Sequence, residues 1–439
     1  MTNYTKEQLM ELDKKHFLHP TSNLQQQQED GPAIIVKKGE GIYVEDIDGK
    51  RYIEGMSSLW NVNIGYGRKE LAEIAKEQIE ELPFSSAFST YSHEPAIKLA
   101  TKITELTPGD LNTVFFTSGG SESNDTAIKL ARHYWNIQGK PERRKIISRK
   151  RAYHGVALGA TSATGIPEFW KFAGRSPEFY HIETTSTKEL RDIIEKEGPE
   201  TIAAFIAEPI PGAGGIIMPP KDYFKEVREI CDQYGILFIA DEVITGFGRT
   251  GKWFGIENWD VVPDMMTIAK GVSSGYIPLG GVVLSEKIHQ TLIDKTEGTL
   301  FHGYTYSGHP VATSVAMKNI EIIESEKLVE NSRLMGEELM KGFKQLEDEL
   351  SVLGDGRTVG LLAAIEIYKD AKTGDRFETK KAPQVVAEAV KRGLICRSVI
   401  YNESDTIVLA PPLTITKEQI KEMLNILKES VEAATAVTN

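Results

Sequence analysis

Four apolar runs in the chain end on residues able to do chemistry: "FFTSGGSES", "FIAEP", "FIADEV" and "TIAKG". They carry a glycine loop with hydroxyls, Glu208, Asp241 and Lys270. Lys270 closes "DMMTIAK" and opens the small-residue loop "GVSSG". A buried ammonium is costly and tends to shed its proton instead. A lysine so placed either ends in a salt bridge or, with its pKa lowered, forms an imine with a carbonyl. Asp241 ends "ILFIAD", and a carboxylate there needs a partner: a metal, an arginine, another structural cation or a protonated ring nitrogen. His302 and His309 stand seven apart with no helix to bring them to Asp241, so no metal site is expected. "SGGSES" offers free N–H groups at a helix start, with the Ser121 hydroxyl beside them. That is a place for a phosphate, or simply a tight strand-to-helix turn. The loop lacks the Walker Gly-Lys-Ser ending and the spaced glycines of a dinucleotide finger.

These residues need a scaffold that brings strand ends together. From about residue 110 to 285 apolar runs alternate with helical periods. "NTVFFTS", "TIAAFIAEP", "ILFIADEV", "DMMTIAKG" and "GGVVLSE" read as buried strands. Ala127, Ile128, Ala131, Tyr134 and Trp135 share one face of a helix, as do Tyr223, Phe224, Val227, Ile230, Cys231 and Tyr234 of a second that ends at Gly235. This is an α/β pattern, with a largely parallel sheet covered on both faces and ligands held beyond the strands' carboxyl ends. "QQQQED" (25–30) reads as a surface connection, and "GIYVEDIDGKRYIEGM" as a hairpin turning at Asp48-Gly49. After residue 310 long helical periods and short strands ("GLLAAIEIY", "LICRSV", "TIVLAPPL") suggest a smaller α/β domain. The expected division is an N-terminal segment, 1–60, packing with the small domain; a large domain, 61–310; and a small C-terminal domain, 311–439.

The chain has 439 residues, 40% hydrophobic and 26% charged, with a net charge of −12. It shows no basic stripe, so nucleic acid is not an expected partner. Its two cysteines, Cys231 and Cys396, form no metal or disulfide pattern. The N-terminus lacks a signal-peptide core, and no apolar run reaches the roughly 20 residues of a membrane helix. The expectation is a soluble, cytoplasmic protein without a membrane partner.

A phosphate nest, a carboxylate for a ring nitrogen and an imine-forming lysine are together the three grips that pyridoxal 5′-phosphate needs. "DEVITGFGRTG" followed by "AKG", with Lys270 lying 29 residues after Asp241, resembles the class III aminotransferases of pyridoxal-phosphate fold type I. "SGGSES", "AYHG" (152–155), "AEPIPGAGG" (207–215) and "HGYTYSGHP" (302–310) extend the match over nearly the whole chain in the family's order. The resemblance implies a large domain built on a mostly parallel seven-stranded sheet, plus the smaller domain. It makes Lys270 the imine-forming lysine and proton carrier, and Asp241 the partner of the pyridinium nitrogen. Tyr153 would stack on one ring face, completing the catalytic set, and Val243 would press on the other. Gly119, Gly120 and Ser121 would take the phosphate, with His154 and Glu208 beside the ring. Thr305 would reach the phosphate of a neighbouring subunit, which implies a homodimer, or a tetramer of such dimers. Arg249 and the glycines of "GFGRTG" are expected to brace a loop.

Arg397 bears on the substrate. In "GLICRSVIY" it alternates onto the face of Ile395 and Val399, so it sits at a solvent edge or holds an anion; an arginine can grip a carboxylate through two parallel hydrogen bonds. By resemblance it is the family's substrate-carboxylate arginine. Members that use ornithine or 4-aminobutyrate with 2-oxoglutarate carry a glutamate after "EPIxG" that masks this arginine, and here the position is Ala213. That pattern, with "SSLWNVNIGYG" and "PFSSAFST", is similar to the amine:pyruvate, or omega, transaminases. It implies a substrate pocket of Leu59, Trp60, Phe88 and Tyr153, a primary amine or omega-amino acid as donor, pyruvate as 2-oxo acid acceptor, and the family's usual S hand. The runner-up is the adenosylmethionine-8-amino-7-oxononanoate aminotransferase of biotin synthesis. From other classes, a non-catalytic pyridoxal-phosphate-fold protein conflicts with the intact Lys270 and Asp241. A cofactor-free lysine aldolase leaves "SGGSES" and Asp241 unexplained.

Overall fold

The structure is a computed structural model and describes residues 4–436. Fifteen strands form three sheets among the described residues. In chain order they begin with β1 (Val36–Glu40), β2 (Tyr43–Asp46) and β3 (Arg51–Glu54). Next come β4 (Leu111–Thr117), β5 (Lys145–Arg149), β6 (Phe179–Ile182), β7 (Ile202–Ala207), β8 (Leu237–Asp241), β9 (Met265–Ile268) and β10 (Gly280–Ser285). The last are β11 (Leu353–Val359), β12 (Leu362–Ile367), β13 (Leu394–Ile395), β14 (Arg397–Tyr401) and β15 (Ser404–Leu409).

The central sheet has seven strands in the order β4-β10-β9-β8-β7-β5-β6. Only β10 runs against its neighbours, so the other six point their carboxyl ends the same way. Strands β7, β8 and β9 are buried at every residue, which is why they read as unbroken apolar runs rather than alternating ones. Helix Gly120–Asn136 buries the Ala127–Trp135 face against this sheet. Helix Tyr223–Tyr234 stops at Gly235, whose φ of 63° is the left-handed cap that glycine adopts without a Cβ penalty. Strands β5, "KIISR", and β6, "FYHI", give no clear signal in the sequence, because each is short and mixed in polarity. No helix among the described residues is long and apolar enough to cross a membrane.

Two expectations are corrected. Residues 25–30 are not a connection but lie in helix Leu24–Asp30, capped by the Asn23 side chain, which accepts from Gln26 N. The glutamines have work there: Gln27 Nε2 donates to Phe17 O at 3.2 Å and Gln28 Nε2 to Lys14 O, tying this helix to Lys6–His16. "LICRSV" is not one strand. Leu394–Ile395 pairs in parallel with β3, whereas Arg397–Tyr401 pairs antiparallel with β15 in another sheet. The chain changes sheets at Cys396, so Ile395 and Arg397 do not share a face. The hairpin at Asp48-Gly49 forms as expected, with Asp46 Oδ1 accepting from Asp48 N and Lys50 N. β3 thus carries the N-terminal sheet onto the C-terminal part of the chain through β13.

Candidate active site

The parallel strands deliver their terminal residues to one cavity of about 330 Å³. β7 ends one residue before Glu208, β8 ends on Asp241, and β9 ends two residues before Lys270. Because Ala207 pairs with Ala240 and Asp241 with Thr267, the three polar residues fall side by side at the sheet's edge. Lys270, Asp241, Glu208, Tyr153, His154, Val243, Gly119, Gly120 and Ser121 all line the cavity.

Asp241 is buried, and burial by itself raises a carboxyl pKa; here the donors win and hold it below its ordinary value. His154 Nδ1 lies 2.7 Å from Oδ2, Val243 N donates to Oδ1 at 3.1 Å, and Asn124 Nδ2 donates to Oδ2 at 2.8 Å. The buried Nε2 of His154 has no partner among the described residues. Glu208 is also buried, and burial raises its carboxyl. Each of its oxygens takes a backbone amide, Tyr153 N at 3.0 Å and Gly212 N at 3.0 Å. Lys270 is pushed the other way: burial lowers its amine against the pull of Asp241 and Glu208, with Arg397 adding to the lowering. Its φ of 47° is a left-handed value that non-glycine residues seldom adopt. Such strain persists where the surroundings enforce it, as they do at catalytic centres.

The other end of the cavity is built for an anion. The 17-residue helix Gly120–Asn136 starts there with no side-chain cap, so its first amides are free for a ligand. A Cβ on Gly119 would meet nothing, whereas one on Gly120 would lie 2.9 Å from Val243 Cγ1. The helix start is therefore pressed against the valine side chain, with open space in front of it. Ser121 Oγ accepts from Val156 N at 3.1 Å, which leaves its own proton to give. An uncapped helix start, a buried carboxylate and a lysine with a lowered pKa in one cavity fit pyridoxal phosphate at its phosphate, ring nitrogen and aldehyde carbon.

The substrate residues are less concentrated. Leu59 and Phe88 are exposed and Trp60 is buried, and none of them, nor Ala213, Arg397 or Thr305, belongs to the cavity lining. Arg397 stands with its guanidinium carbon 4.9 Å from the centre of the Trp60 ring. Its side chain is exposed on β14 and forms no ion pair among the described residues; partial desolvation lowers its pKa and the nearby Tyr153 phenol raises it. Thr305 is exposed in a turn, away from this chain's own cavity. Arg249 braces, as expected. It is fully buried and donates from Nη1 to Leu361 O at 3.2 Å, and from Nη2 to Ser57 Oγ at 2.9 Å and Asn63 Oδ1 at 2.8 Å. Asn124 was not foreseen as a site residue. Its signal is a polar residue on the buried side of helix Gly120–Asn136, beside Ala127 and Ile128.

The description "Aminotransferase class-III" fits residues 24–431 of the chain. The chain is a class III aminotransferase. The aminotransferase is 40% identical to the putrescine–pyruvate aminotransferase of Pseudomonas aeruginosa, over 99% of this chain and 98% of that one. A solved transaminase from the marine bacterium Virgibacillus superposes with a TM-score of 0.96 at 58% identity, covering 97% of this chain and 99% of the other. A thermostable (S)-enantioselective omega-transaminase from Thermomicrobium roseum gives a TM-score of 0.94 at 43% identity, over 99% of this chain and 100% of that one. The aminotransferase accordingly has the fold type I architecture and depends on pyridoxal phosphate.

Proposed function

We propose that this aminotransferase moves the amino group of a primary amine or omega-amino acid to pyruvate, yielding an aldehyde or ketone and alanine, with S preference for chiral amines. The observation that carries the reading is Arg397: it is exposed, rests on the Trp60 ring and forms no ion pair among the described residues. An arginine with no masking acid is available to a small 2-oxo acid, and the loop position where a masking glutamate would stand is Ala213. The names of the putrescine–pyruvate and (S)-enantioselective relatives support the same choice of acceptor and hand.

Bound pyridoxal phosphate would supply an electron sink for the pair left on the donor carbon and an aldehyde carbon to carry the amino group. The protein's part follows from its own groups. Lys270, favoured as a neutral amine by burial, is the base that takes the proton from the donor carbon and gives it back on the neighbouring position. Asp241, held ionised by His154, Val243 and Asn124, keeps a proton on the ring nitrogen. Tyr153 and Val243 confine the ring, and the amides of Gly119–Ser121 hold the phosphate. Glu208, fixed by two backbone amides, shapes the wall beside Tyr153. Leu59, Trp60 and Phe88 form the apolar side of the donor pocket. Thr305, exposed here, completes the phosphate site of a second copy in a homodimer. The test is a panel of amines run separately against pyruvate and 2-oxoglutarate. Pyruvate should be the faster acceptor by at least tenfold; a preference for 2-oxoglutarate overturns the reading.

A further inference from the structure

Close to Arg397 the backbone takes an unusual path. Ser57, Ser58 and Trp60 have φ values of 47°, 60° and 59°. Non-glycine residues reach that region only where their surroundings hold them. The holding group is Glu54, the last residue of β3 and only 3% exposed. Its Oε1 accepts from Met56 N at 3.2 Å, and its Oε2 accepts from Ser58 N and from Tyr66 OH, the latter at 3.4 Å. Ser57 is pinned from the other side, donating to Ala410 O at 2.7 Å and accepting from Arg249 at 2.9 Å.

The same residue reaches Arg397 by a second route. Glu54 pairs with Ile395 in the β3–β13 register, and Gly55 N donates to Ile395 O at 2.9 Å. A Cβ on Gly55 would come within 2.8 Å of that carbonyl, so the approach needs glycine. Ile395 is two residues from Arg397, whose guanidinium stands over Trp60. The side chain of Glu54 therefore sets the turn beneath the arginine while its backbone sets the strand that leads into it.

We propose that Glu54 is a positioning residue for recognition of the acceptor's carboxylate, acting through Trp60 to orient Arg397. The proposal rests on the reading of Arg397 as the carboxylate anchor. Both oxygens of Glu54 are used as acceptors toward three donors. Glutamine at this place offers one acceptor and sets an NH2 group against an N–H or O–H donor.

The test compares two acceptors, pyruvate and butanal, which lacks a carboxylate, using holoenzyme and 1-phenylethylamine as donor. Glu54→Gln should raise KM for pyruvate about tenfold while KM for butanal, the rate of the amine half-reaction and the cofactor absorbance change less than twofold. Tyr66→Phe, which removes one donor to Glu54 Oε2 and leaves Trp60 in place, should shift the pyruvate KM in the same direction with the butanal KM unchanged, and stands in if the glutamine variant does not fold. Equal losses on both acceptors would mark a merely structural role and overturn the proposal. So would an unchanged pyruvate KM in either folded variant when Arg397→Ala raises it. If Arg397→Ala itself leaves the pyruvate KM unchanged, the anchor reading fails first, and the Glu54 proposal falls with it.

Discussion

His154 and Asn124 share one oxygen of Asp241, Oδ2, at 2.7 and 2.8 Å, while the other, Oδ1, receives the Val243 amide at 3.1 Å. The arrangement fixes the carboxylate's rotation and keeps it ionised in a buried site. Asp241→Asn preserves the shape and removes the charge. The amine half-reaction should slow by roughly 100-fold or more, the scale of losing a preorganised charge at the reacting centre. Single-turnover absorbance changes measure it, and a loss of less than about fivefold would be incompatible with the role given to Asp241.

Lys270 should be the point of attachment of the cofactor. Borohydride reduction of the holoenzyme is expected to fix the cofactor to the peptide containing Lys270, and Lys270→Ala should show neither the adduct nor the visible absorbance. Burial lowers the amine's pKa, so a larger neutral fraction is present near neutral pH than in an ordinary lysine. Cofactor uptake by the apoenzyme should therefore stay fast at pH 7.5, where a free-solution lysine analogue reacts slowly. Modification at another lysine contradicts the assignment.

Gly155 has a φ of 118°, and a Cβ there would lie 2.8 Å from Ser121 Cα. The turn behind "AYHG" is thus in direct contact with the phosphate end of the site. Gly155→Ala combines a strained backbone with overpacking and should cost about 2–4 kcal/mol. Cofactor affinity should fall along with thermal stability, because the displaced residue is Ser121. Differential scanning fluorimetry with a cofactor titration reads both, and an unchanged cofactor Kd would separate Gly155 from the anion site.

Much of this was legible in the sequence because a parallel sheet writes its site at the ends of consecutive strands. Glu208, Asp241 and Lys270 each follow a buried apolar run, and strand direction does the rest. The partners of Asp241 were less legible. Asn124 lies 117 positions away in sequence and His154 lies 87 away, and no local period reports such a meeting. The break at Cys396 was invisible for a related reason. Strand polarity alternates locally, whereas the switch between sheets depends on which distant strand, β3 or β15, lies alongside. Charged strand β11, "LGDGRTV", was hidden because only Leu353 is fully buried in it.

The residue after Asp241 gives the pH prediction. Glu242 is fully buried, and burial lifts its carboxyl from 4.5 to about 7 despite bonds from Thr245 Oγ1, Ile256 N at 2.7 Å and Gly255 N at 2.7 Å. A raised folded-state pKa means the native state binds the proton more tightly than the unfolded chain. The contribution is complete below about pH 4.5 and is lost as pH rises through 7, amounting to about 3 kcal/mol. Glu242→Gln cannot titrate and keeps a constant offset from its lost acceptor. Relative to that variant, wild-type holoenzyme should lose stability between pH 4.5 and 7 and run parallel to it above about pH 8. Thermal midpoints of both proteins across this range give the difference directly. A wild-type advantage that grows with pH would mean that Glu242 is ionised in the native state at low pH, held by those three donors against the effect of burial.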